Sequence, residues 1–255
     1  MKSILFFALL TALSAASTGA ASAAATRCYE MRIYSAAPGK LDALNSRFRD
    51  HTCKLFEKHG MVNIGYWLPM TNTENKLVYL LAYPSREARE KSWKEFSADP
   101  DWQAARKESE KDGKLVLKAE SIFLAATDFS SPIIPSQATE PRVFELRTYT
   151  ATPGNLDSLL GRFRDHTVKL FNKHGMTQFG YWMTTQKKND TGENLICLLA
   201  HKNTEAASEA FKNFHADPDW IAAKKASEEK AGGSLTTQGG VKSEFLIPTD
   251  YSPTK

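Results

Sequence analysis

Residues 27–67 read RCYEMRIYSAAPGKLDALNSRFRDHTCKLFEKHGMVNIGYW, and residues 142–182 read RVFELRTYTATPGNLDSLLGRFRDHTVKLFNKHGMTQFGYW, identical at 26 of 41 positions. Agreement of that length marks a duplication, so the chain is built from two copies of one unit. The likeness resumes as LVYLLAY against LICLLAH and as FSADPDWQAARKESE against FHADPDWIAAKKASE. Each copy closes on one signature, Thr127-Asp128-Phe129 and Thr249-Asp250-Tyr251.

Within a copy, Tyr29, Met31 and Ile33 alternate with Glu30, Arg32 and Tyr34, the period of a strand, and Pro38-Gly39 ends it. Apolar residues at Leu41, Leu44, Phe48 and Leu55 then predict an amphipathic helix of about five turns, stopped at Lys58-His59-Gly60. Residues 61–68 and 76–83 read as a hairpin across a polar turn. A second helix from Ser85 carries Trp93 and Phe96, breaks at Asp99-Pro100, and resumes through Trp102 to Lys111; Leu115–Leu124 reads as a last strand. The order β-α-β-β-α-β predicts an α+β fold, two tandem ferredoxin-like domains whose bare sheet faces stack as an intrachain pseudo-dimeric α/β barrel. The expected division is a domain over 26–129, a proline-containing linker over 130–140 and a domain over 141–255.

The first 25 residues begin Met1-Lys2, continue through a short apolar run to Leu13 and end in Ala21-Ser22-Ala23-Ala24-Ala25. That pattern predicts a cleaved signal peptide, and hence a periplasmic or secreted protein with no stable membrane insertion. The formal charge of +4 in 255 residues comes from interspersed acids and bases, so nucleic acid is not implied. Cys28, Cys53 and Cys197 align with Val143, Val168 and Tyr79, which excludes a disulfide or a catalytic cysteine common to both copies.

The stretches FRDHTCKLFEKHGM and FRDHTVKLFNKHGM, each followed by GYW, together with ADPDW before the late helix, resemble the NIPSNAP family over nearly the whole chain, twice. The resemblance implies the dimeric α/β-barrel variant of the ferredoxin-like fold. Proteins sharing that barrel include cofactor-independent monooxygenases, haem-degrading enzymes and chlorite dismutases, an analogy of fold rather than of function.

Several residues recur in both copies and could bind a ligand. On the helical wheel His51 and His166 fall at the edge of the apolar stripe and are expected to point toward the sheet, as haem ligands, general bases or plain core histidines. His59 and His174 precede the stopping glycine and either cap the helix or join the same pocket. Tyr66 and Trp67, with Tyr181 and Trp182, place one aromatic on each strand face and would suit a flat apolar molecule. Glu30 and Arg32, with Glu145 and Arg147, are expected to face the space between the sheets as an inter-repeat polar network, joined there by Tyr34 and Tyr149. No metal-ligand spacing, phosphate loop or serine elbow is present in the sequence. These features favour a non-enzymatic binding or scaffold protein with a small apolar-ligand pocket in each repeat and no cofactor; further homo-oligomerisation stays open. The alternative is a monooxygenase-like or haem-handling oxidoreductase, with haem as its cofactor.

Overall fold

The computed structural model of the protein describes residues 27–185 and 193–255; the leader expected over residues 1–25 lies outside them. Repeat 1 runs β1 (Cys28–Ala36), α1 (Leu41–Arg47), a π-helical turn (Phe48–Thr52), α2 (Cys53–Lys58), β2 (Val62–Pro69), β3 (Lys76–Tyr83), α3 (Arg86–Ala98), α4 (Pro100–Ser109) and β4 (Val116–Ala126). Repeat 2 follows the same order: β5 (Val143–Ala151), α5 (Leu156–Arg162), a π-helical turn (Phe163–Thr167), α6 (Val168–Lys173), β6 (Thr177–Thr184), β7 (Asn194–His201), α7 (Thr204–Ala216), α8 (Pro218–Ala231) and β8 (Thr236–Pro248).

The eight strands close into one barrel in the order β1-β3-β2-β8-β5-β7-β6-β4. Within a repeat the pairing is extensive and antiparallel; between repeats it is confined to two short seams. Trp67, Leu68 and Pro69 face Pro248, Ile247 and Leu246 at one seam, and Leu124, Ala125 and Ala126 face Thr184, Met183 and Trp182 at the other.

The barrel interior is apolar and drawn from both repeats: Tyr29, Met31, Ile64, Trp67, Val78 and Leu80 meet Phe144, Phe179, Trp182 and Leu246. The two indoles dominate it, and full burial of each is worth about 4–6 kcal/mol of transfer free energy. The space left beside them is about 10 Å³, enough for a single water at most. The Gly-Tyr-Trp signature has its cause here. Residues two apart on a strand share a face, and Trp67 lays its ring over the backbone of Gly65, where a Cβ would sit 2.1 Å from a ring carbon; at Gly180 the distance to Trp182 is 2.6 Å.

The strand faces are therefore the reverse of the expected ones. Tyr29 and Met31 enter the barrel, while Glu30 and Arg32 turn outward to the helix layer. A charged pair inside a sealed apolar barrel would lose its hydration with little in return, whereas the helices supply partners for it. The polar network of Glu30 and Arg32, and that of Glu145 and Arg147, lies inside its own repeat and is not an inter-repeat lock.

The lock is the terminal signature of each copy, which crosses to the other. Thr249 and Ser252 bond the backbone of Tyr66 and Tyr251 packs near Phe48 and Tyr66, while Arg49 holds Asp250 through two hydrogen bonds of 2.6 and 2.8 Å. Reciprocally, Thr127 and Ser130 bond the backbone of Tyr181, Phe129 packs on its ring, and Arg164 grips Asp128 twice at 2.8 Å. The connecting segment contributes as well, since Ile133 is buried in the barrel core.

Gly65→Ala and Gly180→Ala should each destabilise the fold, by about 2–3 kcal/mol, because neither the indole nor the strand can yield in a filled barrel. Gly161→Ala, on a helix with open space around the new methyl, should stabilise by about 0.5–1 kcal/mol. Urea midpoints of the three variants check this, and equal effects at Gly65 and Gly161 would refute the packing account.

Candidate functional site

The helix that opens each repeat is not one continuous α-helix. At Phe48–Thr52 it widens, with the Cys53 N–H donating to the Phe48 carbonyl five residues back, and the Thr52 hydroxyl donating to the Arg47 carbonyl at 3.1 Å. The wider turn changes the phase, so Thr52, Leu55 and Phe56 take the inward positions and His51 is exposed. The same happens at Phe163–Thr167, and His166 is exposed, bordering only a shallow groove with Asp157, Asp165 and Arg162. The expectation that these histidines face the sheet is thus corrected: the 100° wheel fails across a π-turn.

His59 and His174 join the two most recognisable parts of the motif. His59 Nε2 lies 2.7 Å from Asp99 Oδ2, and Lys58 Nζ lies 2.8 Å from the same atom; His174 and Lys173 treat Asp217 identically. Asp99 also accepts from the Asp101 N–H, capping α4, with Pro100 at its first turn. Hydrogen bonds from Lys58 and His59 hold the Asp99 carboxyl well below the usual carboxylate range. These histidines serve as a latch between α2 and the α3–α4 bend.

Tyr66 points to the helix layer and Trp67 into the barrel, as alternation requires, so they do not line one pocket with His51. The Tyr66 hydroxyl bonds Asn63 at 2.5 Å and that of Tyr181 bonds Gln178 at 2.6 Å. The three cysteines are free thiols, and burial pushes Cys53 up to about 12 and raises Cys28 and Cys197 too, which leaves all three poor nucleophiles. Among the described residues no cluster of three or more His, Cys, Asp or Glu is placed to hold a metal ion.

Beneath the helices of repeat 1, Glu30 is fully buried and gathers a polar knot. It accepts from Arg32 at 2.6 Å, from Arg89 at 2.6 and 2.9 Å, from the Tyr83 hydroxyl at 3.1 Å and from the Trp93 indole at 3.2 Å. Burial alone would raise its pKa, but the Arg89 hydrogen bond and the charges of Arg32 and Arg89 outweigh it and hold the carboxyl at about 2. Arg32 in turn stacks on Trp93 at 4.3 Å and donates to Tyr79 and Tyr34. In repeat 2 the knot is thinner: Ala207 replaces Arg89, His201 replaces Tyr83, and Glu145 is held by Arg147, His201 and Ser243.

This knot fixes one wall of a cleft of about 330 Å³ between the sheet and the helices of repeat 1. Tyr34, Trp93 and Trp102 form its open aromatic wall, with Phe48, Phe56 and Phe96 buried behind them, and Arg47, Arg106, Glu110 and Lys114 form its polar edge. Its size and lining are those of a small-molecule site. None of the histidines, tyrosines or tryptophans picked out from the sequence as ligand-binding lines this cleft. Trp93, Phe96 and Trp102 were visible in the sequence only as one face of a broken helix; the Asp99-Pro100 bend is what turns them onto Phe48 and Arg47. At the matching place in repeat 2, a shallower depression is bordered by His215, Trp220, Lys224 and Glu228, without the deeper rings. His215 stands where Ser97 stands in repeat 1, and its ring packs against Phe214 and Phe211.

Fold and cleft together define a duplicated α/β-barrel protein with a ligand-sized cavity between sheet and helices. The sequence profile of the NIPSNAP family matches residues 29–131 and 144–253, and the chain belongs to that family, with two NIPSNAP domains in tandem. No curated protein matches it. Among solved structures, an uncharacterised NIPSNAP domain protein from Burkholderia xenovorans is 25% identical over 40% of this chain and 96% of its own, with a TM-score of 0.36. An anthrone oxidase-like protein matches over 88% of this chain and 92% of its own at 12% identity and a TM-score of 0.56. A suggested monooxygenase from Lactobacillus acidophilus NCFM matches over 88% and 94% at 12% identity and 0.55. The last two share the fold.

Glu30 supplies a pH test. Its carboxyl titrates at about 2 in the folded protein against about 4.3 when unfolded, so its stabilisation is complete above the unfolded value and is lost as pH falls from there toward 2. The difference is worth about 3 kcal/mol. Glu30→Gln should be less stable near pH 7 and should lose less stability than the wild type between pH 4.5 and 2, the remainder coming from other lowered carboxylates such as Asp99, Asp217 and Glu145, measured by urea unfolding at each pH. An unchanged acid limb in the variant would contradict the assignment.

Proposed function

We propose that the protein binds a small, planar, largely apolar molecule in the repeat 1 cleft and acts by holding it rather than by transforming it. The observation that carries this is the aromatic wall of Tyr34, Trp93 and Trp102, backed by buried phenylalanines and kept in place by the Glu30 knot behind Trp93. Rigid rings give contact area at little cost in side-chain freedom, and flat ligands stack on them. The two repeats act as ferredoxin-like units paired within one chain, the second bracing the first, and the leader directs the protein out of the cytoplasm. Among the described residues no helix is long and apolar enough to cross a membrane.

An oxidoreductase of the monooxygenase type is the second reading, favoured by the fold shared with an anthrone oxidase-like protein. Histidine-ligated haem does not fit, because no histidine or cysteine lines the cleft and His51 and His166 stand on the outer surface.

The uncharged probe 2-naphthamide, followed by quenching of tryptophan fluorescence and by calorimetry, should bind once per chain. Trp102→Ala should weaken it about tenfold, the worth of a lost ring contact, and Ser97→His should reduce it further by narrowing the mouth. No binding by a correctly folded protein, or binding indifferent to both substitutions, would remove the cleft as a site. Oxygen uptake with anthrone, lost in Trp102→Ala, would replace the binding reading by the oxidoreductase.

A further inference from the structure

Arg47 has more donors than the protein uses. It is 5% exposed, lines the cleft, and faces the Trp102 ring at 5.2 Å. Its Nη1 donates to Ser109 Oγ at 3.3 Å and to Glu110 Oε1 at 3.0 Å, but its Nε is buried with no partner. A buried guanidinium N–H without an acceptor is costly, and leaves Arg47 short of negative partners.

The charge count points the same way. Glu110 is the single carboxylate on the cleft wall, and Arg106 also donates to it at 3.2 Å. Two guanidiniums therefore share one carboxylate, and Lys114 stands beside them. The wall carries an excess of positive charge next to the open faces of Tyr34, Trp93 and Trp102.

We propose that the cleft selects an anionic ligand, a planar apolar body bearing a carboxylate or an ionised enol or phenol oxygen, and that the Arg47 guanidinium receives the negative oxygen. This rests on the cleft being the binding site, and adds to it the charge of the ligand and the residue that reads it. The arrangement is duplicated in part. Arg162 has the same buried, unpartnered Nε and shares Ser227 and Glu228 at 3.4 Å. It faces Trp220 at 5.2 Å as Arg47 faces Trp102, but it borders the outer groove beside His166 and not the depression that Trp220 borders. Arg47 is thus the reading residue, and Arg162 is its internal control.

The test compares 2-naphthoate with 2-naphthamide, equal in shape and different in charge, on the full protein. The wild type should bind the carboxylate at least tenfold more tightly, as a charge-assisted hydrogen bond allows. Arg47→Gln should abolish that preference, read as the ratio of the two affinities. Arg47→Lys, which keeps the charge but not the planar guanidinium fork, should retain only part of it, and Arg162→Lys should leave it intact. Near-ultraviolet circular dichroism confirms that each variant is folded; if Arg47→Gln is not, the lysine variant and the wild-type preference decide. Equal affinity for both probes in the wild type, or a preference that survives loss of Arg47 or vanishes with Arg162→Lys, overturns the proposal while leaving the cleft in place. Failure of both probes to bind overturns the cleft reading and this one together.

Discussion

One apolar strand face with no helix to cover it governs this structure. Each four-stranded sheet spends one face on its own helices and is left with Met31, Trp67 and Val78, or Phe144, Trp182 and Leu198, on the other. An exposed patch of that size in water is untenable, and the copy encoded by the same chain offers a matching surface. Closing the two sheets on each other removes both faces from solvent, and the Gly-Tyr-Trp strands make the closure close-packed by letting each indole lie flat on its own backbone. Because the barrel is filled, the open space that could take a ligand must lie elsewhere, between sheet and helices.

The same constraint decides where charge goes. With the interior reserved for apolar side chains, Glu30 and Arg32 are driven to the helix side, where Arg89, Tyr83 and Trp93 complete their hydrogen bonding. The knot they form is the back wall of the cleft. The centre of the barrel face is kept in kind, Trp67 with Trp182, Leu80 with Leu198 and Leu124 with Leu246, whereas the helix face has diverged: Tyr79 against Cys197, Arg89 against Ala207, Trp93 against Phe211, Ser97 against His215. Duplication leaves the surface that the copies share under one packing demand and releases the surface that each keeps to itself.

The repeat, the element order and the break at Asp99-Pro100 were legible in the sequence, because each depends on local chemistry: alternation, apolar spacing, a proline without an N–H. The site was not. His51 was misplaced because the π-turn inserts an extra residue into the helical phase, and nothing in FRDHT alone distinguishes a widened turn from an ordinary one; the Cys53 N–H on the Phe48 carbonyl and the Thr52 hydroxyl on the Arg47 carbonyl reveal it. Glu30 and Arg32 were assigned to the wrong face because alternation gives two faces without saying which is the barrel. Arg47 and Trp102 lie 55 positions apart in sequence, and their meeting depends on how α4 returns across α1, a tertiary fact.

The crossed signatures also bear on how the molecule is made. Tyr251, Ser252 and Thr254 are built into the core around Tyr66 and Ile64 of repeat 1, as Phe129 and Ser130 are built into repeat 2. Repeat 1 therefore cannot reach its finished packing when its own last strand has been synthesised; it waits for residues more than a hundred positions later. Until then the aromatic cluster around Phe48 and Tyr66 lacks Tyr251. The molecule carries in this exchange a check on its own completeness, since a chain halted in the second repeat leaves the core of the first unfinished around Tyr66.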